Sequence, residues 1–320
     1  MGHKRPFRPL RQAIEARALR TLGWIARSLS FERAGDLGAL VGRLAWRLLA
    51  RRRRIAIDNI IQALGPTPGG EPAERIAHRS FEQLGRSFLE FLALPAHSPE
   101  SLLARIDLEG FEPARPWIEE RRGVVFLTGH FGNWELLGAA IGWTYAPVHY
   151  VFPRQTNPAS DAYLNEVRRK LGIGCYVIED GMLAPMRTLK GGGLLGMLAD
   201  QDARKIGIHV PFFGRPASTL TGPARLAIAA KAPILIGMME RAERGRFRAR
   251  MVRMIEPSPD ADEGTEIYRI TREVNKAFED AIRARPDHWY WIHRRWKTPP
   301  PQPEAVAPEP QDTDAALRRS

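Results

Sequence analysis

The sequence predicts an α/β protein, a layered mixed sheet flanked by helices and preceded by an amphipathic helical segment. Three observations carry this. From residue 123 onwards, short apolar runs bounded by glycine alternate with stretches of helical periodicity. The last two such runs, at 234–241 and 247–255, are adjacent and can pair, so the sheet is mixed in direction towards its end. The first ~95 residues show only helical spacing and read as an appended layer rather than a separately folding unit.

Taken in order, residues 14–30 place Leu19, Leu22, Ile25 and Leu29 at helical spacing, with arginines elsewhere around the helix. Glu15, Arg17, Arg20 and Arg27 break any uncharged run, which falls short of the ~18–20 apolar residues of a spanning helix. The same arginines make it a poor signal peptide. Such a helix either lies on a membrane or packs on its own domain, and the sequence leaves both open. Residues 31–64 are a second helical stretch, with Leu37, Leu40, Val41, Leu44 and Leu48 on one face and four arginines at 51–54. The loop GPTPGGEP (65–72) follows, then a helix over 73–94 that stops at Pro95.

Strands are expected at 123–129, 148–152, 175–179 and 194–200, and helices at about 133–143, 159–171, 182–190, 222–231 and 264–284. The proline-rich residues 298–320 read as a disordered tail. This divides the chain into a basic amphipathic segment at 1–30, a main domain at 31–297 and the tail at 298–320.

The formal charge is +12, and residues 1–54 supply 14 Lys/Arg against 3 Asp/Glu. Such a segment suits an anionic partner: phospholipid, nucleic acid or an acidic protein. Cys175 is the only cysteine, which excludes internal disulfides and cysteine-based zinc sites and fits a reducing, cytosol-facing location.

Chemistry concentrates at LTGHFGNWELLG (127–138). The strand delivers the chain to Gly129, and Asn133 is a natural N-cap that puts Glu135 in the first helical turn. His130 therefore sits at the carboxyl end of a strand, where α/β sheets collect ligands. A histidine is a suitable general base near neutral pH if a partner fixes its tautomer, and Glu135 is in reach if the turn folds back. Free amides at 132–134 can receive an oxyanion. The turn holds no serine or cysteine, so the histidine would activate the substrate's own hydroxyl, without an acyl-enzyme. The other reading is a buried polar contact at His130 and a favourable helix-terminal charge at Glu135, because an isolated H-x4-E spacing arises often by accident.

Further motifs settle the matter by resemblance. The arginine-rich stretch leading into IAIDNI (55–60), GHFGNWE (129–135), NP (157–158), ADQD (199–202), VPFFGRPAST (210–219), APILIGMMER (232–241) and HWYWIHRRWK (288–297) occur in one order. Over roughly residues 15–297 the chain resembles the bacterial late acyltransferases of lipid A biosynthesis, within the lysophospholipid acyltransferase superfamily. The resemblance implies a glycerolipid acyltransferase-like fold, with residues 31–297 as the acyltransferase domain. It implies His130 as base and Glu135 as its orienting partner. It further implies transfer of a fatty acyl chain from acyl carrier protein, or acyl-CoA, to a hydroxyl of a membrane-embedded lipid A precursor. No metal or organic cofactor is implied, and the expected location is the cytoplasmic face of the inner membrane, peripheral or N-terminally anchored.

The family commonly carries Arg-Pro shortly before Asn-Pro, whereas here the order is Pro153-Arg154. Arg154 is either the cation of the site or a solvated loop arginine. Asp200 and Asp202 either meet substrate or polarise the dyad, or they cap a turn. Phe212 and Phe213 are a wall for the acyl chain or plain core. The interleaved aromatic and basic residues at 288–297 suit stacked nucleic-acid bases or an interfacial belt. The resemblance decides for the belt, with Arg294 and Arg295 as contacts to lipid phosphates and no nucleic acid as partner. Asn133, Arg154, Asp200, Asp202, Arg294 and Arg295 are thus the candidate substrate contacts. Competing functions are transfer to another lysolipid or glycolipid, and a non-catalytic basic membrane-binding protein.

Overall fold

The structure is a computed structural model that describes residues 8–301. Residues 302–320, most of the expected tail, and residues 1–7 of the basic segment lie outside the described residues.

Strand β2 (Val124–Thr128) is buried along its whole length. Val125 and Leu127 enter one apolar cluster, while Val124 and Phe126 enter another on the opposite face. A five-residue run without polar alternation is what a strand covered on both faces needs. Around it stand β1 (Ile106–Gly110), β3 (Val148–Phe152), β4 (Gly174–Val177), β5 (Leu194–Leu198), β8 (Ile234–Glu243) and β9 (Arg246–Ile255). The order is β1-β9-β8-β2-β5-β3-β4, parallel except for the β8–β9 hairpin. The α/β mixed sheet is therefore as expected, with the antiparallel pair where adjacent runs placed it.

Two short helices, α5 (Pro99–Leu103) and α6 (Arg115–Glu119), escaped the sequence, as did three strands. Strand β1 carries charge at Asp107 and extends the sheet by pairing β9 in parallel. A separate hairpin, β6 (Ile208–Phe212) and β7 (Arg215–Thr219), turns at Phe213 and Gly214, both with positive φ (51° and 72°).

The N-terminal helices α1 (Arg8–Arg27), α2 (Phe31–Leu48), α3 (Ala50–Leu64) and α4 (Ala73–Ala93) contribute side chains to the same two apolar clusters. Among the described residues, no helix is long and apolar enough to cross a membrane. In α1, Leu19 is buried in the core and Leu22 and the following Leu29 pack against it, so this apolar face lies on its own domain. The stretch 31–64 is divided at Leu49, whose ψ of 58° breaks the helix. The buried face of α2 is not its leucine stripe but Phe31, Ala34, Gly35, Gly38, Ala39 and Gly42. A Cβ at Gly38 would stand 2.2 Å from the Gly85 carbonyl oxygen of α4, and one at Gly42 equally close to that of Phe81. Only glycine permits that backbone approach.

Candidate active site

Strands β2 and β5 run parallel with Thr128 paired to Leu198. Two residues beyond each strand end, the register brings His130 and Asp200 together. The Asp200 carboxylate meets His130 twice, through the ring Nδ1 at 2.9 Å (Oδ1) and the backbone N–H at 2.9 Å (Oδ2). The Trp289 indole N–H also donates to Oδ2, at 2.8 Å. Asp200 is fully buried, which by itself would raise its pKa. The His130 charge, the two His130 hydrogen bonds and the indole more than offset this and hold the carboxyl at about 2. An ionised carboxylate only accepts, so Nδ1 carries a proton, and in the neutral ring the lone pair is then on Nε2.

The imidazole is 21% exposed, which leaves it open to a substrate. Trp134 meets it edge-on at 5.1 Å and Tyr290 lies 5.4 Å away, ring centre to ring centre. The Gln201 amide nitrogen stands 3.4 Å from both ring nitrogens. The turn is pinned from behind: Tyr290 N–H donates to the His130 carbonyl at 3.0 Å, and Gly132 N–H to that of His288 at 2.9 Å. The Ser87 hydroxyl donates to the Gly132 carbonyl at 2.8 Å.

Helix α7 (Trp134–Thr144) begins at Asn133, whose Oδ1 accepts the Leu136 N–H as the N-cap spacing predicts. Its Nδ2 donates to Glu90 at 2.9 Å, and Glu90 accepts two bonds of 2.7 Å from Arg241. Asn133, expected at the substrate, is thus engaged by the scaffold on both ends of its amide.

The contact that orients His130 comes from Asp200, not from Glu135 as expected. The Glu135 carboxylate faces Arg168 of α8 (Pro158–Lys170), at 2.6 Å from Nη2 and 3.2 Å from Nε. Both side chains are buried. Burial opposes the Arg168 charge, but the Glu135 carboxylate outweighs it and keeps Arg168 cationic. Phe152, Phe91 and Tyr150 surround the guanidinium with ring centres 5.0–5.8 Å away. Arg168 was not singled out in the sequence, since nothing distinguishes it from Arg169 and Lys170 beside it.

A base-competent histidine at the carboxyl end of a parallel strand suits acyl or other group transfer to a hydroxyl, and the comparison with known proteins narrows this. The model of the bacterial lipid A biosynthesis acyltransferases matches residues 2–298. The chain belongs to that family. It is 25% identical over 281 residues to the lipid A biosynthesis palmitoleoyltransferase of Escherichia coli, covering 87% of this chain and 89% of that protein. The lauroyltransferase of lipid A biosynthesis from the same organism is likewise 25% identical, over 280 residues and the same shares. A phosphatidylinositol mannoside acyltransferase of Mycobacterium tuberculosis is 24% identical over 245 residues, 74% of this chain and 75% of that one. The protein is an acyltransferase acting on lipid.

Within this lipid A acyltransferase fold the remaining candidates separate. Arg154 is a half-exposed loop residue whose guanidinium pairs with Asp180 at 2.8 Å and whose N–H donates to Glu179. The buried cation beside the α7 turn is Arg168 instead, one helix further on. Asp202 is buried, accepts from Arg204 N–H and the Thr298 hydroxyl, and lies 3.4 Å from Lys297 Nζ. That is a turn-stabilising role, away from solvent. Arg294 is exposed, in keeping with contact to a phosphate. Arg295 is not: it is completely buried, donating to the Ser218 carbonyl and Thr219 hydroxyl at 2.7 Å each over the Phe212 ring. Burial lowers its pKa to about 10. Phe212 and Phe213 are buried core, which resolves the VPFFG motif in favour of packing.

Proposed function

We propose that the protein moves a fatty acyl chain from acyl carrier protein, or acyl-CoA, to a hydroxyl of a lipid A precursor at the cytoplasmic face of the inner membrane. The observation that carries the reading is the Asp200–His130 contact through Nδ1, which turns Nε2 away from the carboxylate on a ring that is partly open to solvent. Nε2 takes the proton of the acceptor hydroxyl, whose oxygen attacks the thioester carbonyl carbon. The tetrahedral oxyanion collapses, the new ester C–O bond remains and the C–S bond breaks. The imidazolium then returns its proton to the departing thiolate. Asp200 stabilises the imidazolium, and Glu135 acts through Arg168, holding a cation next to the first turn of α7. Lys/Arg excess at 1–54 suits the anionic carrier, bilayer and acceptor alike.

The mycobacterial relatives support a second acceptor, a mannosylated phosphoinositide or another glycolipid, with the same chemistry. The test is a transfer assay with a panel of acyl carrier protein thioesters against lipid A precursors and other glycolipids, products weighed by mass spectrometry. A lipid A precursor heavier by one acyl group is expected. Acylation of only another acceptor selects the second reading, and no transfer at all defeats both.

A further inference from the structure

The outward face of α2 is apolar in a protein that had the means to bury it. Leu40, Leu44 and Leu48 are 55%, 54% and 70% exposed, and Leu49 at the α2–α3 corner is 47% exposed. Their i, i+4 spacing makes them one continuous stripe that runs into the corner. The helix turns its glycine and alanine face to α4 at backbone contact, so the leucines are held outward by the tightest packing in the N-terminal layer. Residues 37–57 hold six arginines and no Asp or Glu. Of these, Arg47, Arg51, Arg52 and Arg54 are exposed around the corner. Meanwhile the Leu19, Leu22 and Leu29 face of the N-terminal segment is already packed on the domain.

The corner is tied to the reaction site. Arg52 donates to the Ile292 carbonyl at 3.3 Å, and the Asn59 amide of α3 donates to the carbonyls of Trp291 and His293 at 2.7 and 2.6 Å. Tyr290, in the same segment, lies against the His130 ring. A surface seated on the corner is thereby seated beside the mouth of the site.

We infer that the α2–α3 corner is the membrane-docking element, with Leu44, Leu48 and Leu49 immersed at the headgroup–acyl boundary of an anionic bilayer and Arg47, Arg51 and Arg54 on its phosphates. An exposed leucine stripe is unfavourable in water and favourable only against another apolar phase, and the arginine collar selects an anionic one. An acidic protein would satisfy the arginines but leave the leucines without a role. This deepens the proposed function, since it seats the bilayer next to the segment that packs on His130, and its test requires no turnover.

The experiment floats the full chain with phosphatidylglycerol–phosphatidylethanolamine vesicles. Leu44→Gln/Leu48→Gln/Leu49→Gln is expected to lower partitioning about tenfold or more, from the apolar area withdrawn. Arg47→Gln/Arg51→Gln/Arg54→Gln should remove most of the salt-sensitive part of binding. Leu10→Gln/Ile14→Gln/Trp24→Gln, at exposed positions of α1, should stay within about twofold. In a Cys175→Ser background, an environment-sensitive dye on Leu48→Cys should shift to the blue on vesicle addition. A corner variant that floats like the parent, loss of binding only in the α1 variant, or no dye shift would each overturn the inference. An inactive protein that still docks through the corner would uphold it while refuting the proposed function.

Discussion

Arg168 and Glu135 form a buried ion pair, with 2.6 Å between Nη2 and Oε1, that joins α8 to the first turn of α7. Among the described residues neither charge has another counter-ion within hydrogen-bond reach, although Arg168 also donates to Asn165 at 2.9 Å. Removing one partner strands the other charge away from water. Arg168→Met and Glu135→Leu are each expected to destabilise the fold by about 3–5 kcal/mol. The double replacement Arg168→Met/Glu135→Leu should cost clearly less than the sum of the single ones. Urea unfolding of the four proteins closes the cycle, and simple additivity would deny the coupling. Transfer activity should stay absent in the double variant even where stability returns, because the cation beside α7 is gone.

Asp200 sets the state of His130, so Asp200→Asn should cut turnover by about 10²–10⁴-fold with the fold retained. An amide cannot stabilise the imidazolium, and it allows the wrong tautomer. Near-parental turnover in this variant would remove Asp200 from the mechanism.

The same carboxylate makes stability depend on acid. Its pKa in the fold, about 2, lies below the 3.8 of an unperturbed aspartate. A depressed carboxyl pKa stabilises the fold above the unfolded pKa, and that contribution fades as pH falls from about 4 towards 2. That depression corresponds to roughly 2 kcal/mol. The stability gap between the parent and Asp200→Asn should therefore narrow by about that amount between pH 6 and about pH 2. Denaturant midpoints at both ends measure it, and a gap independent of pH would contradict the assignment.

The contrast between these two carboxylates shows what the sequence can and cannot convey. The α/β order was legible because β2, β3, β5 and β8 are apolar runs bounded by turn residues. The hairpin β6–β7 was not, because Pro211, Pro216 and charged positions interrupt its pattern. His130 stood out through its glycines and its position at a strand end. Its partner was ambiguous because Glu135 is near in sequence, whereas Asp200 is near only through the parallel register of β2 with β5. Arg168 faces inward by helix phase alone, and its neighbours Arg169 and Lys170 share its chemistry. The leucines of α2 misled for a related reason: a glycine face can pack closer than a leucine face, and the sequence pattern does not say which one the neighbouring helix takes.

Gly132 is the hinge of the catalytic turn. Its φ is +53°, and an added Cβ would stand 1.7 Å from the Met239 carbonyl oxygen. Strand β8 is central in the sheet and does not yield to such a contact. Gly132→Ala is expected to destabilise by about 3 kcal/mol or more and to abolish transfer, because both the left-handed turn and the β8 contact are violated. Thermal unfolding with the transfer assay reads both effects, and an active variant of parental stability would show that the turn relaxes.

Arg294 and Arg295 are neighbours of one chemistry and opposite fates. Arg294 points to solvent, so Arg294→Ala should leave stability within about 0.5 kcal/mol. If it binds a lipid phosphate, the variant raises KM for the acceptor with little change in kcat. Arg295 fills space beneath the β6–β7 hairpin and satisfies the Ser218 carbonyl and Thr219 hydroxyl. Arg295→Ala empties that space and removes two buried hydrogen bonds, while the Ala203 N–H still reaches the Ser218 carbonyl and Asn275 Nδ2 the Thr219 hydroxyl, so a loss of about 3 kcal/mol is expected, with activity falling in proportion to the folded fraction. Urea unfolding and acceptor titration on the two variants separate the roles. A stable Arg295→Ala protein with a raised acceptor KM would return Arg295 to the lipid and require the hairpin to open during the reaction.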